Sequence, residues 1–194
     1  MGKILNTEDF EIHFCNKENT INNIAKLNVS VNLASIGLKE IHVYNDTNHY
    51  IGIGVKNTNK GVEIINLSKE EVFTFHKEGI IIIKQHKKRK YHSCCVFYSL
   101  IDYLAYSIIR ASQKVQLPDC DNAIILSNSL SFSIFTTECD IYDNIFAFFP
   151  NNNVGLTINK SLKDRHGKHF EDKSFIYKGY KTLYDYSKDL IEKS

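Results

Sequence analysis

Between Lys84 and Arg110 a basic, polar run gives way to the strongest apolar periodicity in the chain. Phe97, Leu100, Ile101, Leu104, Ala105 and Ile108 recur at helical spacing and form one stripe for a core. Ser93 suits an N-cap, so the spacing predicts a helix over 93–110 with Cys94 in its first turn. There the unpaired backbone N–H groups and the helix dipole favour a thiolate, and the lysines and Arg89 just upstream add to that. The same pattern fits an inert cysteine, because free Cys is among the most buried residue types.

The 194 residues suffice for one domain with a real core, and no linker divides them. At 43% hydrophobic and 12% aromatic the chain is too apolar for disorder. A net charge of +2 gives no global case for nucleic acid, and the expected partners exclude it; the basic residues instead cluster at 84–90 and 160–181. A phosphate-backbone binder would need those two runs to share a face. No apolar run approaches the roughly 20 residues of a membrane span. The first residues lack the apolar core of a secretory signal and the pattern for myristoylation. Five cysteines without framework spacing argue for a reducing, cytoplasmic setting and against a disulfide scaffold. No spacing suggests a structural metal.

Along the chain, Phe10 to Phe14 and Leu27 to Leu33 alternate as strands, with a short helix between Thr20 and Lys26. Ile41 to Tyr44 and His49 to Val55 flank a hairpin turn at Asn45–Asn48. A second turn, Asn57–Gly61, leads into the strand Val62 to Ile65, and Ile80 to Ile83 suits a strand covered on both faces. After Pro118, strands are expected at Ala123–Leu126, Leu130–Thr136, Ile141–Phe149 and Val154–Ile158, then a helix from Lys181 to Lys193. This makes an α+β single domain, 1–194, with a mainly antiparallel central sheet and the cysteine-bearing helix packed on it.

Nucleophilic cysteine chemistry needs a base, an orienter for that base and oxyanion donors. His49 opens one strand and Asn66 closes the next, so a hairpin would bring them to neighbouring strand ends ahead of Cys94. An amide oxygen can fix an imidazole tautomer, and Gln85 could supply an oxyanion N–H. A second order places Cys94 first, with His166 or His169 as base and Asp172 as orienter.

His49-Tyr50-Ile51-Gly52-Ile53, then Val62-Glu63-Ile64-Ile65-Asn66, then Cys94-Cys95-Val96-Phe97-Tyr98-Ser99-Leu100 resembles the clan of cysteine enzymes that includes the adenovirus protease and the ubiquitin-like-protein proteases. The YopJ-type effector acetyltransferases look closest, over about 27–110 as a catalytic core and 150–190 as a basic regulatory tail. Asn66 stands where that family has an acid, Ser93 replaces the acid before the nucleophile, and Cys95 stands where Gly is commonest. Either Cys94 or Cys95 could then be the nucleophile.

The resemblance implies a cysteine-protease-like fold and a virulence effector secreted by a bacterium without a Sec signal, acting in host cytoplasm. Cys94 would carry acetyl from acetyl-CoA to Ser, Thr or Lys of a host signalling protein, with His49 as base, Asn66 as orienter and Gln85 at the oxyanion. Inositol hexakisphosphate would activate it, held by Lys160, Arg165, Lys168, Lys173 and Lys181, since dense phosphate needs several cations. The alternatives are a cysteine protease for ubiquitin or a ubiquitin-like modifier, and an inactive binding protein on the same fold.

Overall fold

The computed structural model describes residues 3–5, 11–15, 36–45, 47–66, 71–75, 78–84 and 92–192. The expected strand at Leu27–Leu33, the helix at Thr20–Lys26 and Gln85 lie outside them. The first half is all strand: β1 (Lys3–Leu5), β2 (Glu11–Cys15), β3 (Lys39–Tyr44), β4 (His49–Lys56), β5 (Val62–Asn66) and β6 (Glu71–Phe75). They form one sheet in the order β1-β6-β5-β4-β3-β2, antiparallel from β2 to β6 with β1 added in parallel. Both expected hairpins are present. In the second, Asn57 Oδ1 accepts from Gly61 N at 2.7 Å and Asn59 N at 3.0 Å, which closes the turn.

The second half alternates strand and helix: β7 (Ile81–Lys84), β8 (Ser93–Phe97), α1 (Leu100–Ser112), β9 (Asn122–Ile125), α2 (Phe132–Cys139), β10 (Asn144–Phe148), α3 (Asn153–His166), β11 (Phe170–Asp172) and α4 (Leu183–Glu192). Its strand order is β11-β10-β8-β9-β7, and only β7 runs antiparallel to its neighbour. Parallel strands need crossover connections, and the three helices α1, α2 and α3 supply them. The domain is therefore α+β as expected, but the sheet that carries the helices is mainly parallel. The antiparallel sheet is the other one.

β8 corrects the expected helix start. Cys94 and Val96 point to one face and Cys95 and Phe97 to the other, all fully buried. Four consecutive buried side chains fit a central parallel strand covered on both sides, not one stripe of a helix. Ser93 is thus a strand residue. The true cap is Ser99, whose Oγ accepts from Asp102 N at 3.3 Å and donates to Asp102 Oδ2 at 2.7 Å.

Downstream, Leu130–Thr136 is a 3-10 turn running into α2, and Val154–Ile158 is the start of α3, not strands. In α3 the buried residues Gly155, Ile158, Asn159 and Leu162 fall at helical spacing.

Leu100, Tyr103, Leu104, Ala105, Tyr106, Ile108 and Ile109 of α1 are all buried. They meet Phe97, Ile125 and Phe148 of the second sheet, Ile53 and Ile65 of the first, and Leu183 and Tyr184 of α4. Burying each large side chain is worth about 1.5–3 kcal/mol, so α1 is the element that joins the two sheets. On the far side of the second sheet, α2 and α3 cover Cys94, Val96, Ile124, Ile145 and Ala147. Ile41, Val43, Val62, Ile64, Phe73 and Phe75 make a separate cluster on the first sheet's other face.

Candidate binding site at the carboxyl ends of the parallel strands

β9 lies on one side of β8 and β10 on the other. The chain thus reverses its direction of winding between β8 and β10, and open sheets bind ligands beyond the carboxyl ends of the strands near such a switch. Asn152 caps α3 there, its Oδ1 accepting from Gly155 N at 3.0 Å. A Cβ on Gly155 would lie 1.9 Å from Pro150 O, so only glycine allows this close turn.

Asn151 knits the β10 end to the segment before α4. Its amide N donates to Lys181 O at 2.8 Å, and its side chain donates to Tyr180 O at 2.9 Å and Tyr177 O at 3.2 Å. Tyr177 is buried and donates to Phe149 O at 2.7 Å, which holds the same segment from beneath. At the β11 end, Lys173 N donates to Ala147 O and Ser174 N to Asp172 Oδ1, both at 2.8 Å. Between these anchors lies a concavity of about 520 Å³, lined by Asn151, Ser174, Phe175, Lys178, Tyr180 and Lys181. Phe175 is 63% exposed, and Lys173 Nζ stands 5.8 Å from its ring. A ring left in water beside amines, amides and a hydroxyl can stack a flat group and hold an anion.

Asp102 sits behind the α1 start, fully buried, taking the Ser99 hydroxyl and Tyr184 N (3.2 Å). Burial raises its carboxyl to about 6, while those two donors pull the other way. Its contacts tie the first turns of α1 and α4 together.

The expected cysteine site does not assemble. Cys94 is in the middle of the second sheet, and burial first, then Cys139 and Glu138, push its thiol well above the ordinary range. That is the reverse of thiolate activation, because a buried thiol beside a second thiol and a carboxylate resists ionisation. His49 and Asn66 belong to the other sheet. Extending the β4–β5 register puts Asn66 opposite Gly52, three residues and about 10 Å from His49. His49 instead meets His42 and Tyr44. In the other order, His169 Nδ1 meets Asp143 O and His166 lies 3.9 Å from Asp140, so neither reaches Cys94. Cys95 is bonded to Cys120 in a disulfide, against the expectation of free thiols. Cys120 lies just ahead of β9, the strand beside β8, which brings the two α-carbons to 5.8 Å.

The five expected cations are divided by α3. Arg165 pairs with Asp140 at the amino end of the sheet, next to Lys168, about 20 Å along the helix from Asn152. Lys160 is exposed on α3, and only Lys173 and Lys181 stand at the carboxyl end. Lys173 is 2.5 Å from Glu171 and over the Phe146 ring at 5.3 Å. Sequence reading missed Asn151, Ser174, Phe175, Lys178 and Tyr180. Asn152 followed three residues later by Gly155 after Pro150 was the available cue, an N-cap signature read as a strand separator.

No family model matches the sequence, and no curated protein matches it. Among solved structures the chain is similar to the primase fragment of the bacteriophage T7 primase-helicase protein, with TM-score 0.53 and 10% identity. The match covers 82% of this chain and 66% of that fragment, so the chain spans less than two thirds of its length. A second similar structure is the bacteriophage T7 lagging-strand DNA polymerase interacting with primase domains of two gp4 subunits bound to an RNA/DNA hybrid and dTTP. It has TM-score 0.40 and 11% identity over 78% of this chain and 72% of that one.

The fold is therefore primase-like. The resemblance to YopJ-type acetyltransferases and ubiquitin-like-protein proteases does not hold, and with it fall the effector, transferase, protease and virulence readings, including an inactive relative on that fold. Short motifs around His49, Asn66 and Cys94 matched a pattern whose elements the chain does not form. No helix among the described residues is long and apolar enough to cross a membrane.

Proposed function

We propose that the chain binds single-stranded nucleic acid at the concavity beyond the carboxyl ends of β10 and β11. This reverses the expectation, drawn from a net charge of +2, that nucleic acid is excluded. Net charge averages over the molecule, whereas Lys173, Lys178 and Lys181 gather at this one end of the sheet. The observation that carries the reading is the exposed Phe175 ring set between Lys173, Lys178 and Lys181 in a site of about 520 Å³. An aromatic platform with flanking cations suits a stacked base and its phosphates, without sequence-specific readout. The fold supports the same ligand class, because the solved structure it resembles at TM-score 0.53 is the primase fragment of a primase-helicase protein.

The test is fluorescence anisotropy with a labelled oligothymidylate of about a dozen nucleotides, a length set by known single-strand site sizes. Phe175→Ala should weaken binding roughly 5- to 100-fold, the range of one lost base stack. Lys178→Ala with Lys181→Ala should weaken it further and flatten the slope of log K against log salt by about 1.4. Wild-type anisotropy that stays flat at about 50 mM salt would overturn the reading, as would binding that neither variant alters.

A further inference from the structure

On the first sheet three adjacent strands turn polar side chains to one face. β2 contributes Glu11 and His13, β3 contributes Glu40, His42 and Tyr44, and β4 contributes His49. The alternate residues Ile41, Val43 and Phe14 pack into the apolar cluster behind them, so the pleat fixes which face the histidines take. His13 is engaged by Tyr44, whose hydroxyl is 2.7 Å from His13 Nε2.

His42 and His49 make a different contact. His42 Nδ1 and His49 Nε2 face each other at 3.3 Å, with the ring centroids 5.3 Å apart. The other nitrogen of His42, Nε2, lies 2.5 Å from Glu40 Oε1. Donating its proton to that carboxylate leaves His42 Nδ1 with a lone pair aimed at His49. A carboxylate behind an imidazole is the usual outer-shell support of a metal-bound histidine, where it fixes the tautomer and raises ligand basicity. Two nitrogens at ~2.0–2.1 Å from one zinc ion and at the tetrahedral angle stand about 3.3–3.4 Å apart. The observed gap matches that edge, and it is long for a hydrogen bond between two ring nitrogens. Tyr44 packs edge-on against His49 at 5.9 Å and steadies that ring.

We propose that His42 and His49 form a two-histidine site for a divalent transition-metal ion of the zinc class, with Glu40 orienting His42 from behind. Among the described residues no three His, Cys, Asp or Glu side chains gather as ligands. An ion held by the two histidines would complete its coordination shell with water. Its ligands come from β3 and β4, so the ion cross-links the hairpin that turns at Asn45–Asn48.

The experiment is calorimetric titration of the full chain with zinc chloride, and of cobalt chloride followed by visible absorption. Wild type should take up one ion, with a cobalt absorption change that saturates at the same stoichiometry, and its Tm should rise with zinc. His42→Ala or His49→Ala should remove the saturable step, and Glu40→Gln should weaken it roughly 10- to 100-fold. His92→Ala, on the other sheet beside Asp143, should leave it unchanged. Circular dichroism of each variant separates lost ligands from lost folding. No saturable uptake by wild type, an unchanged isotherm without His42 and His49, or equal loss in His92→Ala would each overturn the site.

Discussion

Glu63 shows how one residue can set a pH dependence. It lies on β5 on the same face as Ile65, 1% exposed, and its Oε1 has no hydrogen-bond partner among the described residues. Burial raises its carboxyl from 4.5 to about 7, with the Ser127 hydroxyl pulling the other way. A folded-state value above the unfolded one means the folded state binds the proton more tightly. The contribution is therefore fully present below about 4.5 and lost as the pH rises through about 7. A shift of that size corresponds to roughly 3 kcal/mol. Asp102 acts in the same direction between 3.8 and about 6. Glu63→Gln should therefore raise Tm over wild type by roughly 5–10 °C at pH 8 and leave it nearly unchanged at pH 4.5. Scanning calorimetry of the two proteins across this range decides it, since histidine titration is common to both and cancels. Parallel Tm profiles would show that Glu63 is solvated in solution.

α3 is the element on which the site turns, and its first residues are the least replaceable. Alanine for glycine inside a helix ordinarily gains up to about 1 kcal/mol. At Gly155 the new Cβ would meet Pro150 O at 1.9 Å, a backbone atom that cannot swing aside. Gly155→Ala should thus destabilise by about 1–3 kcal/mol in urea unfolding, and weaken oligonucleotide binding because the same turn carries Asn151. Asn152→Ala should cost about 1 kcal/mol through the lost cap. Equal or greater stability of Gly155→Ala would mean that the turn opens at no cost. This element also marks where sequence reading stops. The β3–β4 and β4–β5 hairpins were legible because alternation and Asn-rich turns are local signals. Val154 to Ile158 was not, since five residues mixing Val, Leu and Ile with Gly and Thr suit a strand as well as a helix; the stripe completes only at Leu162. Cys94 to Phe97 failed for the opposite reason. A short apolar run has no period, and the helical stripe of α1 could be extended back over it. Of the concavity only Lys173 and Lys181 were visible, as members of a charge run. Phe175 became a candidate once the fold left its ring in solvent beside them.

At the scale of the molecule, the two sheets have no strand in common and α1 takes the place of one. Leu104 is fully buried in a cluster that draws Ile53 and Ile65 from the first sheet and Ile125 and Phe148 from the second. Tyr103 adds a polar tie, its hydroxyl donating to Ile36 O at 2.8 Å. Removing volume at Leu104 therefore takes contacts from both sheets at once, and the structure can close the gap only partly by moving one of them. Leu104→Ala should cost about 2–5 kcal/mol. Native-state hydrogen exchange should then show faster opening of β5 and β9 amides by a similar factor, because both depend on one cooperative unit. Exchange that accelerates in β9 and α1 while β5 keeps its protection would mean that the first sheet stands alone. In that case the metal site of β3 and β4 and the concavity beyond β10 would belong to separately folding halves, and zinc would stabilise one without protecting the other.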